Sequence, residues 1–192
     1  MRGFSRELLA LPTGPGATRT LYSGEIECQD ARWFPSGDRL LVAGRQPNRP
    51  PRLWIVAEGA VPRPATPEGF GAGVPSPDGR SWVGKRLADS ALFLFESEGQ
   101  EGRPLPGPPE AGRLERWAPD GRGLVVVDTL LPGARILKRD LRTGERTLIR
   151  ELRLKDPTGV AVFQGTVAPS GDTFAALYVR ASTVLFLARG MR

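Results

Sequence analysis

The chain has 192 residues, a quarter of them charged, with a formal net charge of +6, 24 glycines, 19 prolines, one cysteine and no histidine. That length suits one domain with a real core. The missing histidine excludes Ser-His-Asp and Cys-His catalysis and the common zinc sites, and the single Cys28 excludes an internal disulfide or a thiolate cluster.

No apolar run approaches the length of a membrane helix. The start, "MRGFSRELLALPTG", lacks the extended apolar stretch of a signal peptide. Taken as written, the chain is expected in the cytoplasm, and a lone cysteine fits a reducing compartment. Of 27 basic residues only Lys85, Lys138 and Lys155 are lysines. The arginines are scattered through turns and strand ends, which argues against a nucleic-acid surface. Apolar residues come in short bursts between Gly/Pro clusters, the pattern of many short strands.

In chain order, "RELLALPTGPGATRTLYSG" (6–24) reads as a strand, a Thr-Gly turn and a second strand. "GEIECQD" (24–30) follows as a loop entering the first full unit. Its Glu25, Glu27 and Asp30 are candidates for a cation or a basic peptide, against the simpler reading of a solvated loop.

"RWFPSGDRLLV" (32–42) then introduces a motif that returns three times, in "GVPSPDGRSWV" (73–83), "RWAPDGRGLVV" (116–126) and "TVAPSGDTFAA" (166–176). Its centre is Pro35-Ser36-Gly37, Pro77-Asp78-Gly79, Pro119-Asp120-Gly121 and Pro169-Ser170-Gly171, with prolines spaced 42, 42 and 50 apart. Proline suits the first central position of a type I turn, Asp or Ser the next, and glycine the left-handed residue of a G1 bulge. Each motif therefore predicts a β-hairpin. Asp78 and Asp120 are read as turn supports rather than catalytic acids, since Ser replaces Asp at two of four corners.

Trp33 and Trp117 share one motif position and are expected to pack between units, with Trp54 and Trp82 also in the core. Pro75, at the same position, fits only a sheet edge.

After each hairpin comes another burst: "RLWIVA" (52–57), "ALFLFE" (91–96), "ARILKRD" (134–140) and "STVLFLA" (182–188). "LKRD" (137–140) reads as an exposed face. A glycine turn and a weaker strand follow the first three. The longer third spacing falls in "ELRLKDPTGVAVFQG" (151–165), read as an enlarged loop between units. Its Arg153, Lys155 and Asp156 are the favoured candidates for binding.

Each unit is thus four short strands in about 42 residues, the length of a propeller blade. The expected fold is all-β: a single β-propeller domain over 1–192, with a half blade at 6–24 and blades starting near 30, 71, 113 and 162. The strand at 18–22 is expected to close the ring on the last blade. Seventeen strands exceed the sixteen of four closed blades. Two readings remain, a piece of a larger propeller and an incomplete ring that closes on another copy through its exposed strand edges.

The pattern W-x-P-[DS]-G, an apolar burst and a "TGE"-like turn resembles the repeats of TolB-like propellers, the bacterial WD-repeat-like proteins. The resemblance covers nearly the whole chain through four motif copies. It implies a scaffold that binds a protein, peptide or small ligand on one face or in the channel, without a cofactor. Similar repeats form the C-terminal sensor part of bacterial Ser/Thr kinases and winged-helix regulators. As part of a membrane-anchored kinase the chain would lie outside the membrane. Other members gate the catalytic domain of prolyl-oligopeptidase-type hydrolases, which is the alternative function. Neither a "GxSxG" elbow nor a kinase catalytic loop occurs here. The leading reading is a non-catalytic binding module.

Overall fold

The computed structural model describes residues 5–96, 101–130, 133–156, 158–167 and 173–180, all in strands, turns and loops. Among them no helix is long and apolar enough to cross a membrane. The described residues form fifteen antiparallel strands in successive sheets, each a meander in chain order. The first holds β1 (Ser5–Ala10), β2 (Arg19–Trp33), β3 (Arg39–Arg45), β4 (Arg52–Ala57) and β5 (Arg63–Pro64). The second holds β6 (Phe70–Pro75), β7 (Ser81–Arg86), β8 (Leu92–Glu96) and β9 (Arg103–Pro104). The third holds β10 (Arg113–Trp117), β11 (Gly123–Leu130), β12 (Gly133–Asp140) and β13 (Arg146–Arg153), and the last described hairpin is β14 (Val160–Val167) with β15 (Phe174–Arg180). These are the blades of a partial propeller.

The hairpin corners follow from their residues, with one refinement. Gly37, Gly79 and Gly121 have φ of +71°, +69° and +66°, the left-handed conformation that glycine adopts without a steric cost. The Gly37 amide donates to Phe34 O (2.9 Å), while Phe34 N donates to Arg39 O (3.0 Å). Pro35, Ser36, Gly37 and Asp38 therefore form a four-residue loop around a type I turn, one residue longer than the G1-bulge hairpin predicted from the sequence. The extra residue is fixed by the register, which pairs Trp33 with Leu40. The corner at Pro169 and Gly171 lies outside the described residues.

The blades bury both faces against their neighbours. Phe34, Leu41, Leu53 and Ile55 of the first pack with Phe70, Trp82 and Phe95 of the second. Trp82 stacks on Phe95 (6.2 Å, 6°) and meets Phe34 edge-on (6.3 Å, 83°); such pairs add about 0.5–1.5 kcal/mol each to the burial itself. Val74, Val83 and Leu92 of the second blade pack with Leu114, Trp117, Leu124 and Val126 of the third. Close approach requires glycine: a Cβ on Gly73 of β6 would stand 2.4 Å from Leu53 Cδ1. Pro75 lies on β6, the edge strand of its sheet, where its missing donor costs no ladder bond.

Residues 19–23 pair with β1 (Leu9↔Thr20, Leu8↔Tyr22); the outer part of the last blade, which 18–22 was expected to complete, lies outside the described residues. Three sequence expectations need correction. "GEIECQD" is no loop: β2 runs through it, with Ile26 and Cys28 buried against Leu40, Val42 and Trp54. The enlarged loop of 151–165 is also mostly strand. Its first residues end β13 and its last begin β14, so the extra length lies in an eight-residue outer strand where β5 and β9 have two residues each. Finally, Trp33 is 49% exposed while Trp117 is 9% exposed.

Candidate functional site

The innermost strands β2, β6 and β10 line the side of the blades that faces the propeller axis. Two of them bring four charged groups together. Asp30 and Arg32 lie on β2, Arg113 and Glu115 on β10. Arg32 Nε is 3.3 Å from Asp30 Oδ2, and its Nη1 donates to Glu115 O at 3.0 Å. Arg113 Nη2 is 2.7 Å from Glu115 Oε2. A guanidinium from the first blade thus reaches the third. The intervening strand reads Gly71-Ala72-Gly73, short side chains that let the Arg32 side chain cross. Asp30, Arg32 and Arg113 are about one third exposed, whereas Glu115 is 6% exposed. The cluster therefore offers two solvent-reachable guanidinium groups, each held in place by a carboxylate, and such forks suit bidentate contact with a ligand carboxylate.

The acidic trio of the sequence does not converge. Glu25 is exposed on β2. Glu27 is held between Arg45 (2.9 Å) and Arg6 (3.2 Å), whose hydrogen bonds lower its pKa, Arg45 first. Only Asp30 joins the inner cluster. Among the described residues no group of three His, Cys, Asp or Glu side chains stands ready for a metal.

The second candidate set is also separated. Arg153 ends β13 and pairs with Glu151 at 3.0 Å, and Lys155 is exposed. Asp156 supports its own loop: the Thr158 hydroxyl and amide lower its pKa, and Arg180 of β15 lies 3.0 Å away. Asp78 and Asp120 cap the corners, each accepting the amide two residues on (Arg80 at 3.0 Å, Arg122 at 3.1 Å). Their pKa values are lowered, by Ser76 at Asp78 and by Lys138 at Asp120, so both are ordinary ionised turn supports.

Sequence reasoning missed a buried ionic network between the second and third blades. Arg139, in the stretch read as exposed, is 1% exposed. Alternation on β12 turns Leu137 and Arg139 to the same covered face, and the linker 105–112 closes over the arginine. Its Nη1 meets Glu110 Oε2 at 3.2 Å and Pro108 O at 2.8 Å, and its Nη2 donates to Pro106 O at 2.8 Å. Glu110, fully buried, also accepts from Gly112 N at 3.1 Å and faces Arg146 at 3.6 Å. Lys85 donates to Gly112 O at 3.0 Å, and burial lowers its pKa against the pull of Glu110 and Asp128. Its partners are linker carbonyls and carboxylates, so the network fixes the linker rather than a ligand. No sequence signal marks Glu110; only the linker's path brings it to Arg139.

A small groove of about 110 Å³ lies on the other side of the first blade, between residues 19–21 and the Pro35 corner. Leu21, Trp33, Leu40 and Val56 line it, with Arg19 and Glu58 paired at its rim at 3.0 Å.

No protein-family model matches the chain, and a search of curated proteins finds no relative. Solved structures do match. TolB from Acinetobacter baumannii superposes with a TM-score of 0.68 at 16% identity, over 95% of this chain and 45% of that one. A protein assigned as a TolB from Agrobacterium tumefaciens gives 0.63 at 18%, over 93% and 65%, and a functionally unknown protein from Desulfotomaculum acetoxidans gives 0.54 at 15%, over 91% and 57%. The chain thus spans less than two thirds of each of these structures, and its fold is that of a TolB-like β-propeller, present in part.

Proposed function

We propose that the chain is a non-catalytic recognition module whose inner-strand face binds an acidic protein or peptide segment. The observation that carries this is the Arg32–Asp30–Glu115–Arg113 cluster, where two partly exposed guanidinium groups from separate blades converge. A ligand carboxylate would accept from remaining N–H groups of the two guanidiniums while Asp30 and Glu115 keep them in place, so the ligand is held across two blades. The missing histidine supports binding over hydrolysis.

The test is selection of random peptides displayed on phage against the wild-type chain and against Arg32→Ala/Arg113→Ala. Enrichment of Asp/Glu-rich sequences on the wild type, lost on the variant, supports the reading. Equal enrichment on both, or turnover of ester, lactone or prolyl-peptide substrates by the purified chain, overturns it.

A further inference from the structure

The four side chains of the inner cluster carry no net charge: Arg32 and Arg113 are balanced by Asp30 and Glu115. A basic patch attracts an acidic partner through its field, which acts at a distance and is screened by salt. A compensated cluster has little such field. It offers instead donors that are already fixed in place.

The backbone of β10 does the fixing. In three inner strands the ladder to the next strand skips one residue. In β2 it skips Gln29 and in β6 Gly71, each six residues before its motif proline. In β10 the bulge is displaced by two residues, to Glu115, four before Pro119. A bulge residue stands outside the ladder, which re-aims its side chain and leaves its backbone groups to other partners. Glu115 shows both consequences. Its carbonyl accepts from Arg32 Nη1 at 3.0 Å, and its side chain, 6% exposed, meets Arg113 Nη2 at 2.7 Å. One residue thus anchors guanidinium groups from two blades. Asp30 Oδ2, 3.3 Å from Arg32 Nε, completes the hold on Arg32. The equivalent residues of the other two blades, Ala31 and Gly73, stay in their ladders and carry no carboxylate (Ala31↔Val42, Gly73↔Gly84).

We propose that the inner-strand face recognises its acidic partner through preset guanidinium geometry rather than net positive charge, with Glu115 as the residue that positions both arginines. This rests on the inner cluster being the binding site. It gives Glu115 an effect opposite to that of its charge. A carboxylate beside a ligand carboxylate repels it, so Coulomb's law alone makes Glu115→Gln bind an acidic ligand more tightly. Positioning makes it bind more weakly. Gln keeps the size of the side chain but loses the charge-assisted bond to Arg113. A guanidinium no longer held must be ordered on binding, which weakens Kd about two- to tenfold for one long side chain. The variant site also gains one positive charge, so its binding depends more steeply on salt.

Fluorescence anisotropy of a fluorescein-labelled oligoglutamate peptide, titrated between about 20 and 300 mM NaCl, tests this on the wild type, Glu115→Gln and Asp30→Asn. Each is first shown to be folded by circular dichroism. Asp30 is 36% exposed, so its variant carries the test if Glu115→Gln does not fold. At about 150 mM salt each variant should bind more weakly than the wild type, and lowering the salt should narrow the gap. Weaker binding with an unchanged salt slope is the mark of general damage and overturns the proposal. Variants that bind as tightly as the wild type, or more tightly, overturn it too, and leave the inner cluster standing as a site that works by charge. A wild type that does not bind the peptide, or binds it no better than Arg32→Ala/Arg113→Ala, overturns the inner cluster as the binding site and this inference with it.

Discussion

Glu110→Gln isolates the charge of the buried network while keeping its shape. In the wild type, Arg139 Nη1 lies 3.2 Å from Glu110 Oε2, and the two side chains are 2% and 0% exposed. The substitution leaves the carbonyls of Pro106 and Pro108 in place but strands a guanidinium charge away from water. Breaking a buried pair by removing one partner costs about 3–5 kcal/mol. The retained carbonyls place the loss near the lower value, about 3 kcal/mol. At this chain length one kcal/mol moves Tm by roughly 2–4 °C, so Tm should fall by roughly 6–12 °C. Urea denaturation followed by tryptophan fluorescence reads the change in free energy directly. Arg139→Met alone should destabilise comparably by orphaning the carboxylate. The double variant should lose less than the sum of the two, with a coupling of about 0.5–3 kcal/mol. A loss under about 1 kcal/mol in Glu110→Gln, or strict additivity in the cycle, would refute the assignment of the network as a compensated buried pair.

Three further outcomes are expected. Gly73→Val places a branched side chain where a Cβ alone would stand 2.4 Å from Leu53 and 3.0 Å from Leu41. It should destabilise by about 1–3 kcal/mol through overpacking, read by the urea midpoint. Cys28 is buried and burial raises its pKa to about 11; a thiol-specific reagent at pH 8 should label it far more slowly in the native chain than in urea, and equal rates would contradict its placement. Asp89 is held down to about 2, from 3.8, by Arg86 first and then by the Ala91 amide. A depressed carboxyl stabilises fully above its unfolded value, and that contribution fades as pH falls from 3.8 toward 2. Its side-chain carbonyl signal should titrate near 2 by NMR, and Arg86→Ala should move that midpoint up.

Repetition made the architecture legible in the sequence. Pro-[Asp/Ser]-Gly at 42-residue intervals dictates a corner by local sterics alone, and Gly37, Gly79 and Gly121 adopt the left-handed conformation that this chemistry requires. Turn support by Asp78 and Asp120 was equally readable, because its partners lie two residues away. What the sequence could not rank was equivalent positions with different neighbours. Trp33 and Trp117 occupy one motif position, yet Trp117 is buried with its indole donating to Val74 O of the preceding blade, while Trp33 stands half exposed. Arg139 shares a polar stretch with Lys138, and alternation puts one beneath the linker and leaves the other facing Asp120.

The inner cluster lies furthest from sequence reasoning. Asp30 was singled out for its acidic company, but Glu25 and Glu27 go elsewhere, and its partners are Arg32 and, through it, Glu115, 83 positions along the chain. Local sequence determined the corners, the strands and the all-β class, since these rest on backbone sterics and period-two burial within a few residues. Tertiary structure decided which face each blade buries, which charges are paired and which tryptophan is left open. Those depend on the neighbouring blade, and a linear pattern repeats a residue without repeating its surroundings.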